Sequence, residues 1–188
     1  MADIKAIKGT DDTTYSIVDR FSEWGGYNYL PASKGEFTGI VPTSGSNDFK
    51  TWSNVVTVNP NETWTISFDA KSSTTGTLMW VFFYNNASNI VQVSSGIAST
   101  GQTTTRSDGG VQLALTDEYI RYLITWTFNS SAAALKSVIC GRLGTGTNNG
   151  STATVRKVKL ERGHKATDWS PCWANIFTYN NETITMNI

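Results

Sequence analysis

The sequence is poor in charge, in cysteine and in histidine, and each shortage excludes a class of function. Only 16% of the 188 residues are charged, and 15 Lys and Arg residues balance 15 Asp and Glu residues, so no net field attracts nucleic acid or an anionic membrane. Cys140 and Cys172 are too few and too far apart for a disulfide scaffold, and we expect two thiols. His164 alone is available for a catalytic triad or a histidine-rich metal site.

The acidic residues and the glycine-rich stretch do not indicate an active site either. A glycosidase needs two carboxylates roughly 5 to 9 Å apart across a cleft, and the sequence alone does not place two acidic residues face to face. The stretch Gly144–Gly150 lacks the strand-to-helix context of a phosphate-binding loop, so we interpret it as a hairpin tip. We therefore expect no enzyme.

Long apolar segments are absent too. Residues 1–8 contain no apolar run followed by a small-residue cleavage site, and no later stretch approaches a membrane span. We expect a protein made in the cytoplasm, with no insertion into a membrane. The Asn-x-Ser/Thr sequons are explained better by the abundance of these residues than by glycosylation of a secreted protein.

Alternation of apolar and polar residues with a period of two is the main pattern from residue 55 onward. Trp64, Ile66 and Phe68 share one face of a predicted strand, and Thr, Ser and Asp residues occupy the other, which indicates a half-buried strand. Tyr122 and Trp126 fall on the apolar face of a second such strand. The two alternating strands are predicted at residues 62–70 and 119–128. Further strands are predicted at residues 135–143 and 153–161. Short strands separated by polar turns predict a β-sandwich.

The segment Leu78–Tyr84 departs from this pattern because both of its alternating sets are apolar. One set consists of Met79, Val81 and Phe83, and the other consists of Leu78, Trp80, Phe82 and Tyr84. Two interpretations stay open. The strand is covered on both faces, or its second face is an aromatic binding surface.

Three separated stretches follow a recognisable order. Gly26–Ser33 contains Asn-Tyr-Leu, Glu62–Lys71 contains Thr-Trp-Thr-Ile-Ser-Phe, and Val158–Pro171 ends in Ala-Thr-Asp-Trp-Ser-Pro. They resemble the opening, a central strand and the closing motif of the jelly-roll carbohydrate-binding modules found in bacteriophage tail, baseplate and fibre proteins. A fourth stretch, Leu115–Tyr122, resembles another strand of these modules, with Tyr119 in place of the usual Trp.

This resemblance implies an all-β jelly roll, a sandwich of two antiparallel sheets. In the closing motif we expect Val158 and Leu160 to point into the core and Gly163 to permit a sharp turn. Asp168 and Trp169 are expected to fasten the end of the domain. These residues define the fold rather than a binding site.

The same resemblance leaves one cofactor open, a structural calcium ion. Many modules of this kind hold calcium between the start of the domain and the last strand, where carbonyl and carboxylate oxygens supply six or more ligands. Lys157 and Lys159 crowd that last strand and put the site in doubt. We expect no other cofactor and no catalytic metal.

Candidate sugar-binding residues come from the predicted strand at 78–84. Sugar binding uses flat aromatic faces against the apolar side of a pyranose ring, surrounded by a few polar groups. The resemblance places Trp80, Phe82 and Tyr84 on a concave face, with Trp80 and Tyr84 as stacking residues. Arg121 on the same face and Arg142 on a neighbouring strand are candidates to bind hydroxyl groups, although each is also compatible with a solvated surface position.

The two ends of the chain differ from the middle. Residues 1–20 cannot bury a core of their own, and we interpret them as an attachment or oligomerisation arm that contains a small hairpin. Residues 21–172 form the predicted jelly roll, and residues 173–188 a C-terminal strand or tail. Because phage adhesins are commonly trimers, the resemblance implies a homotrimer that contacts other virion proteins through the arm.

Taken together, these observations predict a virion protein whose jelly roll binds a host-surface or mucosal glycan, assembled in the cytoplasm of the bacterial host. Two alternatives remain. One is a structural virion protein, such as a head fibre or decoration protein, without glycan binding. The other is a bacterial polysaccharide-binding module, against which the absence of a signal peptide argues.

Overall fold

The computed structural model describes residues 6–8, 14–16, 28–30, 35–48, 51–84, 90–97, 104–105, 110–131, 134–146, 148–169, 178–179 and 182–183. Every regular element in this part of the chain is a β-strand. No helix among these residues has the length and apolar character needed to span a membrane. The all-β prediction is therefore confirmed.

Two antiparallel sheets stack into the predicted sandwich. The strands are β1 (Ala6–Lys8), β2 (Thr14–Ser16), β3 (Glu36–Ile40), β4 (Ser46–Asp48), β5 (Thr51–Val58), β6 (Thr63–Ser72), β7 (Thr77–Tyr84), β8 (Ile90–Ile97), β9 (Thr104–Thr105), β10 (Val111–Leu115), β11 (Ile120–Phe128), β12 (Ala134–Gly144), β13 (Thr152–Arg162), β14 (Thr178–Tyr179) and β15 (Glu182–Thr183). The five-stranded sheet has the order β3-β13-β6-β11-β8. In the six-stranded sheet the order is β4-β12-β7-β10-β9, with β5 also paired to β12. Strands β5 to β8 and β10 to β13 alternate between the two sheets, as in a jelly roll.

The core lies between the sheets and follows the predicted alternation. Trp64 and Trp126, on neighbouring strands of the five-stranded sheet, have no exposed surface. Met79 and Val81 of β7 face them from the six-stranded sheet and are equally buried. Phe83 of the six-stranded sheet contacts the five-stranded sheet directly, because its ring packs edge-on against Trp126 with the centroids 4.8 Å apart.

The outer face of β6 differs from the prediction of a half-buried strand. Thr65 and Ser67 point away from the core and are nevertheless fully buried. Thr65 Oγ1 donates a hydrogen bond of 2.7 Å to the carbonyl of Gly163, and Arg121 donates one of 2.8 Å to the hydroxyl of Ser67. The segment that follows β13 thus lies over this strand, which no alternation pattern within β6 indicates.

The start of the domain is attached to its last strand through one asparagine. Asn28 is fully buried, and its side chain accepts hydrogen bonds from the amides of Leu30 and Leu160 while donating one to the carbonyl of Val158. The amide of Tyr29 adds a bond of 2.8 Å to the carbonyl of Leu160. Two of the motifs that carried the resemblance are therefore joined in space.

A buried ion pair fastens the segment after β13. Lys159 is fully buried, and its ammonium donates to Thr167 Oγ1 at 2.5 Å and to the carbonyl of Asp168 at 2.7 Å. The carboxylate of Glu161, 2% exposed, lies 3.6 Å from that ammonium and accepts two hydrogen bonds from Thr167. Burial lowers the pKa of Lys159, and the neighbouring Glu161 carboxylate opposes the shift. Gly163, with a φ of 102°, forms the predicted turn.

Calcium does not fit among these oxygens. The hydroxyl, carbonyl and carboxylate groups around β13 already surround the positive charge of Lys159. In the described ranges, no group of three or more His, Cys, Asp or Glu side chains is placed to hold a metal ion.

Short strand pairs occur near both ends of the chain. β1 pairs with β2 in the predicted hairpin, and β14 pairs with β15 rather than with either sheet. The boundaries at residues 20/21 and 172/173 lie outside the described residues, as does Cys172, so the division into arm, domain and tail stays a prediction.

The buried ion pair generates a stability prediction. Replacing Glu161 by Ala leaves the Lys159 ammonium buried without its counter-charge, and we expect the free energy of unfolding to fall by about 3–5 kcal/mol. Glu118→Ala, at an exposed turn, is the matched control and should change it by less than about 0.5 kcal/mol. Urea unfolding at neutral pH measures both values, and equal losses would contradict the stabilising role of the pair.

Candidate functional site

The outer face of β7 carries aromatic side chains that the core does not use. Met79, Val81 and Phe83 fill the core, so the alternating residues Trp80 and Phe82 point away from it. Both rings are only partly buried, and Leu78 beside them is 38% exposed. Of the two interpretations of this strand, the structure therefore favours an aromatic outer face over a strand covered on both sides.

Polar side chains from the two neighbouring strands flank these rings. Gln112 of β10 pairs with Trp80 on one side, and Arg142 of β12 pairs with it on the other. Directly paired residues project to the same face of an antiparallel sheet. The guanidinium carbon of Arg142 lies 4.8 Å from the centre of the Phe82 ring, a cation–π distance. We call Trp80, Phe82, Gln112 and Arg142 the aromatic face.

A β-bulge decides that Arg142 belongs to this face. Cys140 pairs with Val81, and strict alternation would then pair Gly141 with Trp80 and place Arg142 opposite the core residue Met79. The register instead shifts by one residue, so Gly141 is the extra residue of the bulge and Arg142 pairs with Trp80. Its φ of 95° lies in the left-handed region that glycine adopts without strain. The shift brings Leu143 into the core and Arg142 to the surface.

The chemistry of the aromatic face suits a hydroxylated ligand with an apolar side. Flat rings offer an apolar surface for the C–H groups of a sugar ring, while an amide and a guanidinium offer hydrogen bonds to hydroxyl groups. Because the Phe82 ring and the Arg142 guanidinium are in contact, each restricts the motion of the other before a ligand arrives.

Among the predicted site residues, the structure brings Trp80, Phe82 and Arg142 together. Tyr84 belongs to the same strand with the same alternation, but its side chain lies outside the described part of the molecule. Sequence reasoning missed Gln112, although the buried Val111, Leu113 and Leu115 of β10 leave it on the outer face. The alternation of that short strand was the signal that could have found it.

Arg121 departs from its expected position. It lies on β11, which pairs with β6 in the five-stranded sheet, whereas Trp80 lies on β7 in the other sheet. Since both side chains point away from the core, the whole sandwich separates them. The Arg121 guanidinium instead contacts Asp69 at 3.2 Å and Ser67 at 2.8 Å, and it donates to the carbonyl of Lys157 at 3.3 Å.

Tyr119 directly precedes β11 and is part of a polar cluster on the five-stranded sheet. Its hydroxyl donates a hydrogen bond to the carboxylate of Glu36, and the guanidinium of Arg156 lies 3.6 Å from its ring centre. Burial, together with the nearby Glu36 carboxylate, raises the pKa of Tyr119 to about 12. The hydroxyl is therefore a hydrogen-bond donor at neutral pH.

Comparison with known proteins yields structural likenesses at low sequence identity. No family model matches the sequence, and no curated protein matches it. One similar structure is the tripod from the baseplate of bacteriophage Tuc2009, with 14% identity, a TM-score of 0.44, and coverage of 81% of this chain and 61% of that one. The chain thus spans less than two thirds of the tripod chain. The N-terminal cellulose-binding domain of a β-1,4-glucanase from Cellulomonas fimi is similar at 18% identity and a TM-score of 0.42, over 75% of this chain and 88% of that one.

The bulge at Gly141 generates a prediction about stability. Gly141→Ala places a Cβ on a residue with a φ of 95°, and we expect the free energy of unfolding to fall by about 1–3 kcal/mol. Gly144→Ala in the same strand is the matched control, because no atom lies within 4 Å of the added Cβ and the φ there is ordinary. Chemical denaturation measures both variants, and a Gly141→Ala protein as stable as Gly144→Ala would contradict the need for glycine at the bulge.

Proposed function

We propose that this chain is a non-catalytic carbohydrate-binding module of a bacteriophage particle and that it binds a host-surface or mucosal glycan through the aromatic face. One observation carries the proposal. Trp80 and Phe82 are partly exposed on the outer side of the six-stranded sheet, between Gln112 and Arg142. Exposed aromatic rings of this kind, rimmed by polar groups, mark binding surfaces.

The arrangement supports stacking of a sugar ring along β7. Residues two apart on a strand lie about 6.5 Å from each other, so Trp80 and Phe82 span the length of one pyranose unit. Tyr84 continues the same row of alternate positions in the sequence and would contact the next unit. A shallow surface binds each chain weakly, so attachment to a glycan coat depends on several copies acting together.

The assignment to a phage particle is supported by the sequence motifs. The opening stretch Gly26–Ser33 and the closing stretch Val158–Pro171 resemble modules of phage tail, baseplate and fibre proteins, and Asn28 joins the two regions. In this proposal the protein is a homotrimer whose residues 1–20 attach it to other virion proteins. Each trimer then presents three aromatic faces.

A glycan array tests the binding proposal. The wild-type protein should bind a restricted set of glycans, and Trp80→Ala should reduce binding by tenfold or more, about 1.4 kcal/mol, because it removes the stacking ring. Ile40→Ala is the matched control. Ile40 is a 55% exposed apolar residue on the five-stranded sheet, and its loss should leave binding unchanged.

Two outcomes of the array would contradict this proposal. A silent array, with the protein folded, would overturn glycan binding and favour the structural virion protein. Binding that survives Trp80→Ala would remove the aromatic face as the site. Far-ultraviolet circular dichroism of each variant establishes that the fold is retained.

The role of the N-terminal residues is tested by truncation. Deleting residues 1–20 should convert the trimer to a monomer, because the arm carries the contacts between copies in this proposal. Deleting residues 173–188 is the matched control and should leave the trimer intact. Multi-angle light scattering measures the mass of each protein. A trimer without its arm, or a full-length monomer, would contradict the assignment.

A further inference from the structure

A cleft lies on the outer side of the five-stranded sheet, across the sandwich from the aromatic face. Its volume is about 390 Å³, within the range of roughly 300–1,000 Å³ that small-molecule sites occupy. Strands β6, β11 and β13 form its floor, and the segment after β13 forms one wall. Its lining includes the residues Asp69, Arg121, Leu123, Lys157, Thr167 and Trp169.

Three cations converge on one carboxylate at the floor of this cleft. Asp69 is the shared partner of three cations, with Arg121 at 3.2 Å, Arg156 at 3.6 Å and Lys157 at 3.8 Å from its carboxylate oxygens. One carboxylate neutralises only one of the three. The pair Lys159–Glu161 beneath the wall is balanced, and the Asp168 carboxylate at the rim offsets one more positive charge. Among the charged residues that line the cleft, the cations Arg121 and Lys157 balance the carboxylates of Asp69 and Asp168. Arg156 lies outside the lining and has Glu36 opposite it on β3, so the excess of cations is confined to the surroundings of Asp69.

One buried hydrogen-bond donor at the cleft lacks an acceptor among the described residues. The indole Nε1 of Trp169 is buried and makes no hydrogen bond, whereas the buried Nε of Arg156 has the Asp69 carboxylate 3.6 Å away. A buried N–H group without an acceptor costs about 1–3 kcal/mol, so such groups are rare and call for an explanation. Since Trp169 lines the cleft, an oxygen atom of a bound ligand is a suitable acceptor for its indole.

The backbone at Lys157 adds an independent observation. This residue is the extra one in a bulge of β13, and its φ of 50° lies in the left-handed region, which is uncommon for residues other than Gly, Asn and Asp. The bulge leaves the Lys157 side chain 54% exposed at the cleft, while its carbonyl accepts a hydrogen bond from Arg121. Strained backbone of this kind clusters at functional sites.

We propose that this cleft is a second ligand site, which binds the anionic group of a small hydroxylated molecule, with Lys157 and Arg121 facing the anion and the indole of Trp169 donating to a ligand oxygen. The carboxylate of an acidic sugar and the phosphate of a polyol phosphate share this chemistry. The apolar side chain of Leu123 and the Trp169 ring contact the carbon skeleton of the ligand. The site is independent of the aromatic face, because the core separates the two.

Titration followed by NMR tests this proposal on the full-length protein. Glucuronate and glycerol 1-phosphate are the two anionic probes, and glucose is the neutral one. The indole N–H resonance of Trp169, assigned by its loss in Trp169→Phe, should shift with at least one anionic probe and not with glucose. A response to glucuronate alone identifies an acidic sugar, and a response to glycerol 1-phosphate alone identifies a polyol phosphate.

Variants separate the cleft from the aromatic face. Lys157→Asn removes the charge while Asn tolerates the left-handed backbone, and it should weaken anion binding about fivefold, the size of a partly exposed ion pair. Lys165→Asn, at an exposed lysine of the same segment, should leave binding unchanged. Trp80→Ala should also leave it unchanged, so failure of the glycan proposal does not affect this result.

Three results would overturn the second site. They are an indole resonance that responds to neither anion, one that responds equally to glucose, and anion binding that is the same in Lys157→Asn as in the wild type. Raising the salt concentration should weaken binding of either anionic probe, since counter-ions screen a partly exposed charge.

Discussion

Strict alternation along a β-strand is the constraint on which the rest of this structure depends. The sandwich strands whose side chains are described send alternate side chains into the core, so one extra residue reverses the assignment of all residues beyond it. Two bulges use this effect. Passing over Gly141 keeps Arg142 at the surface and Leu143 in the core, and passing over Lys157 allows Val155 and Val158 both to be buried.

The segment after β13 explains why the two outer faces differ. The outer side of the five-stranded sheet is covered in part by the segment after β13, which is held by the buried Lys159–Glu161 pair and by hydrogen bonds to Thr65. Polar and charged side chains therefore meet there and form a cleft. The described outer residues of β7 keep aromatic rings partly exposed on the other sheet. One sandwich thus presents an aromatic surface on one side and a cleft lined by charged side chains on the other.

Much of the fold could be predicted from the sequence because its main signal is local. The alternation of Trp64, Ile66 and Phe68 identifies a strand and its core face without knowledge of any other strand. The same rule separated Val81 from Trp80 correctly. It failed for Thr65, whose burial depends on residues almost a hundred positions later in the chain.

The candidate sites were harder to predict, since a site combines residues from several strands. Arg121 and Trp80 both point outward by their own alternation, yet the alternation of a single strand contains no information about which sheet that strand joins. The sequence alone determined the all-β class, the core-facing residues and the aromatic character of the strand at 78–84. Only the tertiary structure decided that Arg142 joins Trp80 and that Arg121 joins Asp69, because strand order and bulge register arise from long-range backbone pairing.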